Sequence, residues 1–236
     1  MGCTETKQIG SEERSVIAAE EGLGFYDNTS FRVDSIIRKY SSNSLINHTH
    51  LTRIAEVLNL SIINTAPHTR IEEFFRKISN KDGFYNLKDL LIIGILLSEG
   101  EKDEKARLIY QIYDENLTNS ISLTDIKNKM LMDLAGHSAK NLPILVTNEQ
   151  TPFSNVLKNE KYMQDLESIM VNVVNKVSAL FGNVESLNEK KFVEIFSSLV
   201  GGSLTTASGW RIFMMEVFVA EPPKKQFNNP FRKTPK

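Results

Sequence analysis

YDENLTNSISLTD, Tyr113 to Asp125, places oxygen-bearing side chains at nearly every second position and closes on an Ile-Ser-x-x-Asp frame. In that frame Ser122 can cap the first turn of a helix, and Asp125, three residues on, can reach back to it. A helix-like segment, KARLIYQIY, precedes the stretch, and an apolar run, IKNKMLM, follows it. The residues allow three readings: a working metal loop, a decayed one, or a polar turn between two helices.

The frame recurs along the chain. INHTHL (Ile46–Leu51), YNLKDL (Tyr85–Leu90) and LNEKKF (Leu187–Phe192) each set an apolar residue before an Asn suited to an N-cap. Acidic capping-box partners stand at Asp89 and Asp125, whereas His50 and Lys191 break the box in the first and last copies. Apolar helical segments flank every copy; the longest carries a stripe of Tyr162, Leu166, Ile169, Val173, Val177 and Leu180. The first three frames begin at Ile46, Tyr85 and Ile121, 39 and 36 residues apart, a spacing that marks a repeated supersecondary unit. An insertion at roughly 136–161, containing NLPILVTNEQTPFSN, displaces the fourth and reads as a loop. A plain helical bundle with polar turns is the competing organisation.

On these residues the third unit resembles an EF-hand. From about Arg32 to Val200 the chain resembles four-hand proteins of the calcineurin-B and neuronal-calcium-sensor type, most closely over EGEKDEKARLIYQIYDENLTNSISLTDIKNKM. The resemblance implies a ligand set of Asp114, Asn116, Thr118, Ser120, Ser122 and Asp125 at loop positions 1, 3, 5, 7, 9 and 12. Asn119 stands where the sharp turn usually has glycine, and asparagine is the side chain that best tolerates a left-handed backbone. Ile121 occupies the position where two loops pair through a short strand. Only Asp114 and Asp125 among the six bring charge, and Asp125 is one methylene shorter than the usual glutamate. That set implies weak calcium binding, with magnesium or no metal as alternatives.

The other loops are poorer. The second puts Ile78 where the first carboxylate belongs, although Asn80, Asp82, Gly83, Asn86 and Asp89 keep the shape. The first, KYSSNSLINHTH, is short and has no carboxylate, and the fourth, FGNVESLNEKK, ends on the cation Lys191.

Composition narrows the function classes. The 236 residues carry 28 Lys plus Arg against 29 Asp plus Glu, so nothing favours a nucleic-acid partner. No phosphate loop or nucleophile elbow occurs, His48 and His50 lack the spacing of a helical zinc pair, and an enzyme is not expected. Cys3 is the single cysteine, which excludes an internal disulfide and suits a reducing, cytoplasmic setting. MGCTET fits N-myristoylation of Gly2, with Cys3 beside it as a palmitoylation site. Two chains would make attachment to a membrane surface stable where one would not.

GWRIFMMEVFV (Gly209–Val219) reads as an apolar helix that packs within its own chain, and EPPKKQFNNPFRKTPK after it as an extended basic tail. The expected architecture is all-α: four EF-hand-like helix–loop–helix units in two lobes, plus a C-terminal helix. Residues 1–30 form a flexible, acylated arm, 31–100 and 101–200 the two paired units, and 201–236 the last helix and tail. The expected function is that of a regulatory adaptor binding an amphipathic helix of a target protein. A calcium-independent structural subunit of a cytoskeletal or ciliary assembly is the alternative.

Overall fold

Eleven α-helices and four two-residue strands follow one another along residues 9–64, 69–147 and 153–222, the residues described in a computed structural model. They run α1 (Ser11–Glu21), α2 (Ser30–Lys39), β1 (Leu45–Ile46), α3 (His48–Leu58), α4 (Arg70–Ile78), β2 (Tyr85–Asn86) and α5 (Leu87–Leu97). Then come α6 (Lys102–Tyr113), β3 (Ile121–Ser122), α7 (Leu123–Asp125), α8 (Met132–Gly136), α9 (Phe153–Ala179), β4 (Ser186–Leu187), α10 (Glu189–Phe196) and α11 (Ala207–Ala220). The all-α class read from the sequence holds.

All four caps form. The Asn47 side chain accepts from the His50 amide, Asn86 from Lys88 and Asp89, Ser122 from Asp125, and Asn188 from Lys191. Each is worth about 1 kcal/mol and fixes where its helix begins. The apolar residue before each cap lies in a strand: Ile46 opposite Tyr85, and Ile121 opposite Leu187, both antiparallel. Consecutive loops are thereby tied in two pairs.

LLIIGILL supplies α5, where Leu90 through Leu96 are all buried, so this helix has no solvent face along most of its length. Gly94 lets α2 cross it closely: a Cβ there would stand 2.6 Å from the Val33 side chain. Gly94→Ala is expected to cost about 1–3 kcal/mol by overpacking, read as a lowered denaturant midpoint. Loss of under a few tenths would show that α2 gives way freely.

Three expectations change. Residues 11–21, assigned to a flexible arm, form α1, whose Val16 is fully buried. The insertion expected as a loop at 136–161 is helical at both ends: α9 starts at Phe153, and a π-turn at His137–Asn141 and a 3-10 turn at Leu142–Val146 continue the rod that α7, a π-turn at Ile126–Leu131 and α8 begin. Ala139, Leu142, Leu145 and Val146 on it are buried, because its apolar residues recur at helical spacing despite Pro143, which stands in the first turn of its segment where no amide is needed. The two pairs are not separate lobes with separate cores: buried side chains from Val16 to Val217 form one continuous cluster, with α6 against both α2 and α5.

Candidate functional site

The third loop is held by its own first residue. Asp114 Oδ1 accepts from the Thr118 amide at 2.9 Å and from its hydroxyl at 3.0 Å, and Oδ2 accepts from the Asn119 amide at 2.8 Å. Asn119 takes the left-handed conformation that the missing glycine would have supplied, with φ of 52°. Its side chain then accepts from the Glu189 amide, which fastens this loop to the fourth. Asp125 closes the loop differently. Its Oδ2 accepts from the Ser122 hydroxyl at 2.7 Å, and its Oδ1 meets the Lys129 ammonium at 2.8 Å, one helical turn on. These two partners, Lys129 first, hold the Asp125 carboxyl below its ordinary pKa.

Asn116 and Ser120 line the same depression of about 250 Å³, and so do two cations, Lys88 and Lys129. Lys88 sits 4.6 Å from the centre of the Tyr113 ring and pairs with Glu115 at 3.0 Å. The six residues of the expected ligand set are thus together, but their fit to a hard divalent cation is poor. Two carboxylates are present, and an ammonium stands on the one that should close the cage. A metal at this place would have to displace Lys129. Among the described residues, no three His, Cys, Asp or Glu side chains converge as a metal-holding group.

The second loop has the same shape with other partners. Asn80 Oδ1 accepts from the amides of Asp82 and Phe84, taking the part that Asp114 plays in the third, and Gly83 turns at φ of 76°. Asp89 does not reach back to its cap; its Oδ1 lies 3.2 Å from His137 Nε2 on the helical rod. Gly2 and Cys3 lie outside the described residues. No helix among the described residues is long and apolar enough to cross a membrane.

Two buried cations were not anticipated. Arg211, in the middle of α11, has no solvent exposure. Its guanidinium donates twice to Glu13, at 2.8 and 2.9 Å, and twice to Glu20, at 2.6 and 2.9 Å, with a fifth bond to the Ser138 carbonyl at 3.2 Å. The Tyr162 hydroxyl from α9 donates to Glu13 at 2.6 Å. One cation serves two carboxylates, and desolvation pushes Glu20 above the usual carboxylate range although Arg211 opposes it. The signal in the sequence was a cation within an apolar helix whose one other charged residue is Glu216. Its partners, seven residues apart, share one face of a segment read as an arm.

Lys105, on α6, is 3% exposed, and its ammonium has no hydrogen-bond or ion-pair partner among the described residues. Burial pushes its pKa down from 10.5 to about 8, with only Glu104 beside it opposing. Glu20 and Glu21 of α1 and Tyr26 also line the cavity into which Lys105 opens. Between about pH 8 and 10.5 the unfolded chain holds a proton that the folded chain has released, so stability rises with pH across that window. A shift of this size corresponds to at most about 3 kcal/mol. Urea midpoints from pH 8 to 10 should therefore climb in the wild type more steeply than in Lys105→Met. Parallel profiles would place the titration elsewhere.

An apolar groove of about 450 Å³ runs beside α11, lined by Ile9, Tyr162, Ile212, Met215, Val219 and Ala220 among others. The opposite face of α11 is interior: Trp210 and Met214 are fully buried, which answers the intramolecular expectation for this helix. Comparison of the chain with protein-family models, with curated proteins and with solved structures returned no match.

Proposed function

We propose that this chain is an EF-hand-like adaptor that binds an amphipathic helix of a target protein in the groove beside α11, with its loops acting as structural turns. The groove is the observation that carries the reading. It is apolar, open at the surface and lined by the flexible side chain of Met215 beside Ile212 and Val219, which suits a helix laid along it. The pairing of Lys129 with Asp125 supports constitutive binding over calcium control, because the charge a calcium ion would neutralise is already balanced. Acylation of Gly2 and Cys3 would bring the same groove to a membrane surface, since Ile9 at its edge follows closely in the chain.

The calcium-sensor reading rests on a different observation, the loop geometry set by Asp114 and Asn119 and the strand that ties it to the fourth loop. One experiment separates the two. A fluorescent model amphipathic helix is titrated against chelator-treated protein, with and without calcium. Equal binding in both, abolished by Val219→Asp, is the expected result; Val219 is 77% exposed, so the substitution should leave the melting temperature in place. Binding that needs calcium would establish the sensor, and binding indifferent to Val219→Asp would remove the groove from consideration.

A further inference from the structure

A second cavity, of about 140 Å³, lies where α1, the end of α5, α6 and the start of α11 meet. It has room for several waters or one small organic ion. Ile17, Leu96 and Leu97 make its apolar wall, and Lys105, Thr206, Ala207 and Ser208 its polar end. Lys105 is an aliphatic amine 3% exposed, without a partner among the described residues, and it opens into this space. The stem of Lys105 is buried while its ammonium faces the cavity, where an anion would complete it.

The start of α11 points to the same ligand. Thr206 caps this fourteen-residue helix: its hydroxyl accepts from the Gly209 amide and its carbonyl from that of Trp210. The Ala207 and Ser208 amides of the first turn have no partner among the described residues. Free amides at a helix start favour an anion, and the ammonium beside them adds a full charge. The negative groups on the wall restrict which anion. Both oxygens of Glu20 are engaged by Arg211, but Glu20 and Glu21 still disfavour a doubly charged guest.

The geometry points to a binding site for a small monocarboxylate, its carboxylate held between the Lys105 ammonium and the Ala207 and Ser208 amides, its alkyl part against Ile17, Leu96 and Leu97. The butyrate ion is a probe of that class. Titrated into the full-length protein at constant ionic strength with chloride as the balance, butyrate should shift the Ala207 and Ser208 amide resonances saturably and most strongly of all. Lys105→Met removes the charge at nearly constant volume and should weaken the binding about ten- to hundredfold, the effect of losing a charged hydrogen bond. Inorganic phosphate should bind more weakly than butyrate, since it leaves the apolar wall unfilled. Unmoved Ala207 and Ser208 resonances in the wild type would overturn the site whether or not the variant folds. Equal affinity in Lys105→Met would overturn the role of the amine, and phosphate binding as tightly as butyrate would overturn the ligand class.

Discussion

Arg211→Met is expected to destabilise the protein by about 3–5 kcal/mol, read as a lower urea midpoint at unchanged slope. The wild-type guanidinium makes five hydrogen bonds, as many as it has N–H groups, so nothing on it is left unsatisfied. Removing it strands Glu13 and Glu20, which are 4% and 6% exposed, with no counter-charge. The folded variant would then hold protons that the unfolded chain releases at neutral pH. Its stability should accordingly fall as pH rises out of the ordinary carboxylate range, more steeply than in the wild type, where Arg211 restrains the upward shift of Glu20. Replacing all three charges by Met and Leu should recover most of the loss, because the desolvation cost leaves with the charges. A cost below about 1 kcal/mol for the single substitution would mean that water reaches the carboxylates and the cluster is not a structural tie.

That tie joins residues 198 positions apart and fastens α1 to α11. It also forms the floor beneath both cavities, since Glu13 lines the groove and Glu20 the smaller one. Loss of Arg211 should therefore weaken helix binding in the groove along with stability. Val219→Asp should weaken binding alone.

Trp210→Ala should cost a similar amount, about 3–5 kcal/mol, through the cavity it leaves. Trp210 is fully buried on the interior face of α11, among the largest side chains of the core. Its indole N–H has no hydrogen-bond partner among the described residues. Trp210→Phe is expected to cost under about 1.5 kcal/mol, since the lost volume is offset by removal of an unpaired donor. Thermal melts of the two variants test this directly: equal losses would show that the N–H is satisfied by bound water.

Local features were legible in the sequence for a physical reason. A cap is made by a side chain and amides two or three residues away, so Asn47, Asn86, Ser122 and Asn188 could be read in place. The left-handed turn at Asn119 is likewise a property of one residue and its neighbours. The apolar stripe from Tyr162 onward needed only helical spacing. The Asp125–Lys129 pair, one helical turn apart, is local in the same sense.

What lay beyond the sequence is whatever depends on a distant partner. Glu13 and Glu20 in SEERSVIAAEE look like solvated charges of an arm until α11 brings Arg211 against them. Asp89 looks like a capping-box residue until the rod after α8 brings His137 within reach. Residues 136–146 were read as a loop because Gly, Asn and Pro interrupt them, yet their apolar side chains find burial against α1 and α4 and the segment stays helical. Local chemistry by itself determined the class of the fold, the helix starts and the paired turns. The single core, the burial of Arg211 and Lys105 and the two cavities were decided by tertiary packing alone, because the energy of a buried charge or an apolar wall depends on which neighbours desolvate it.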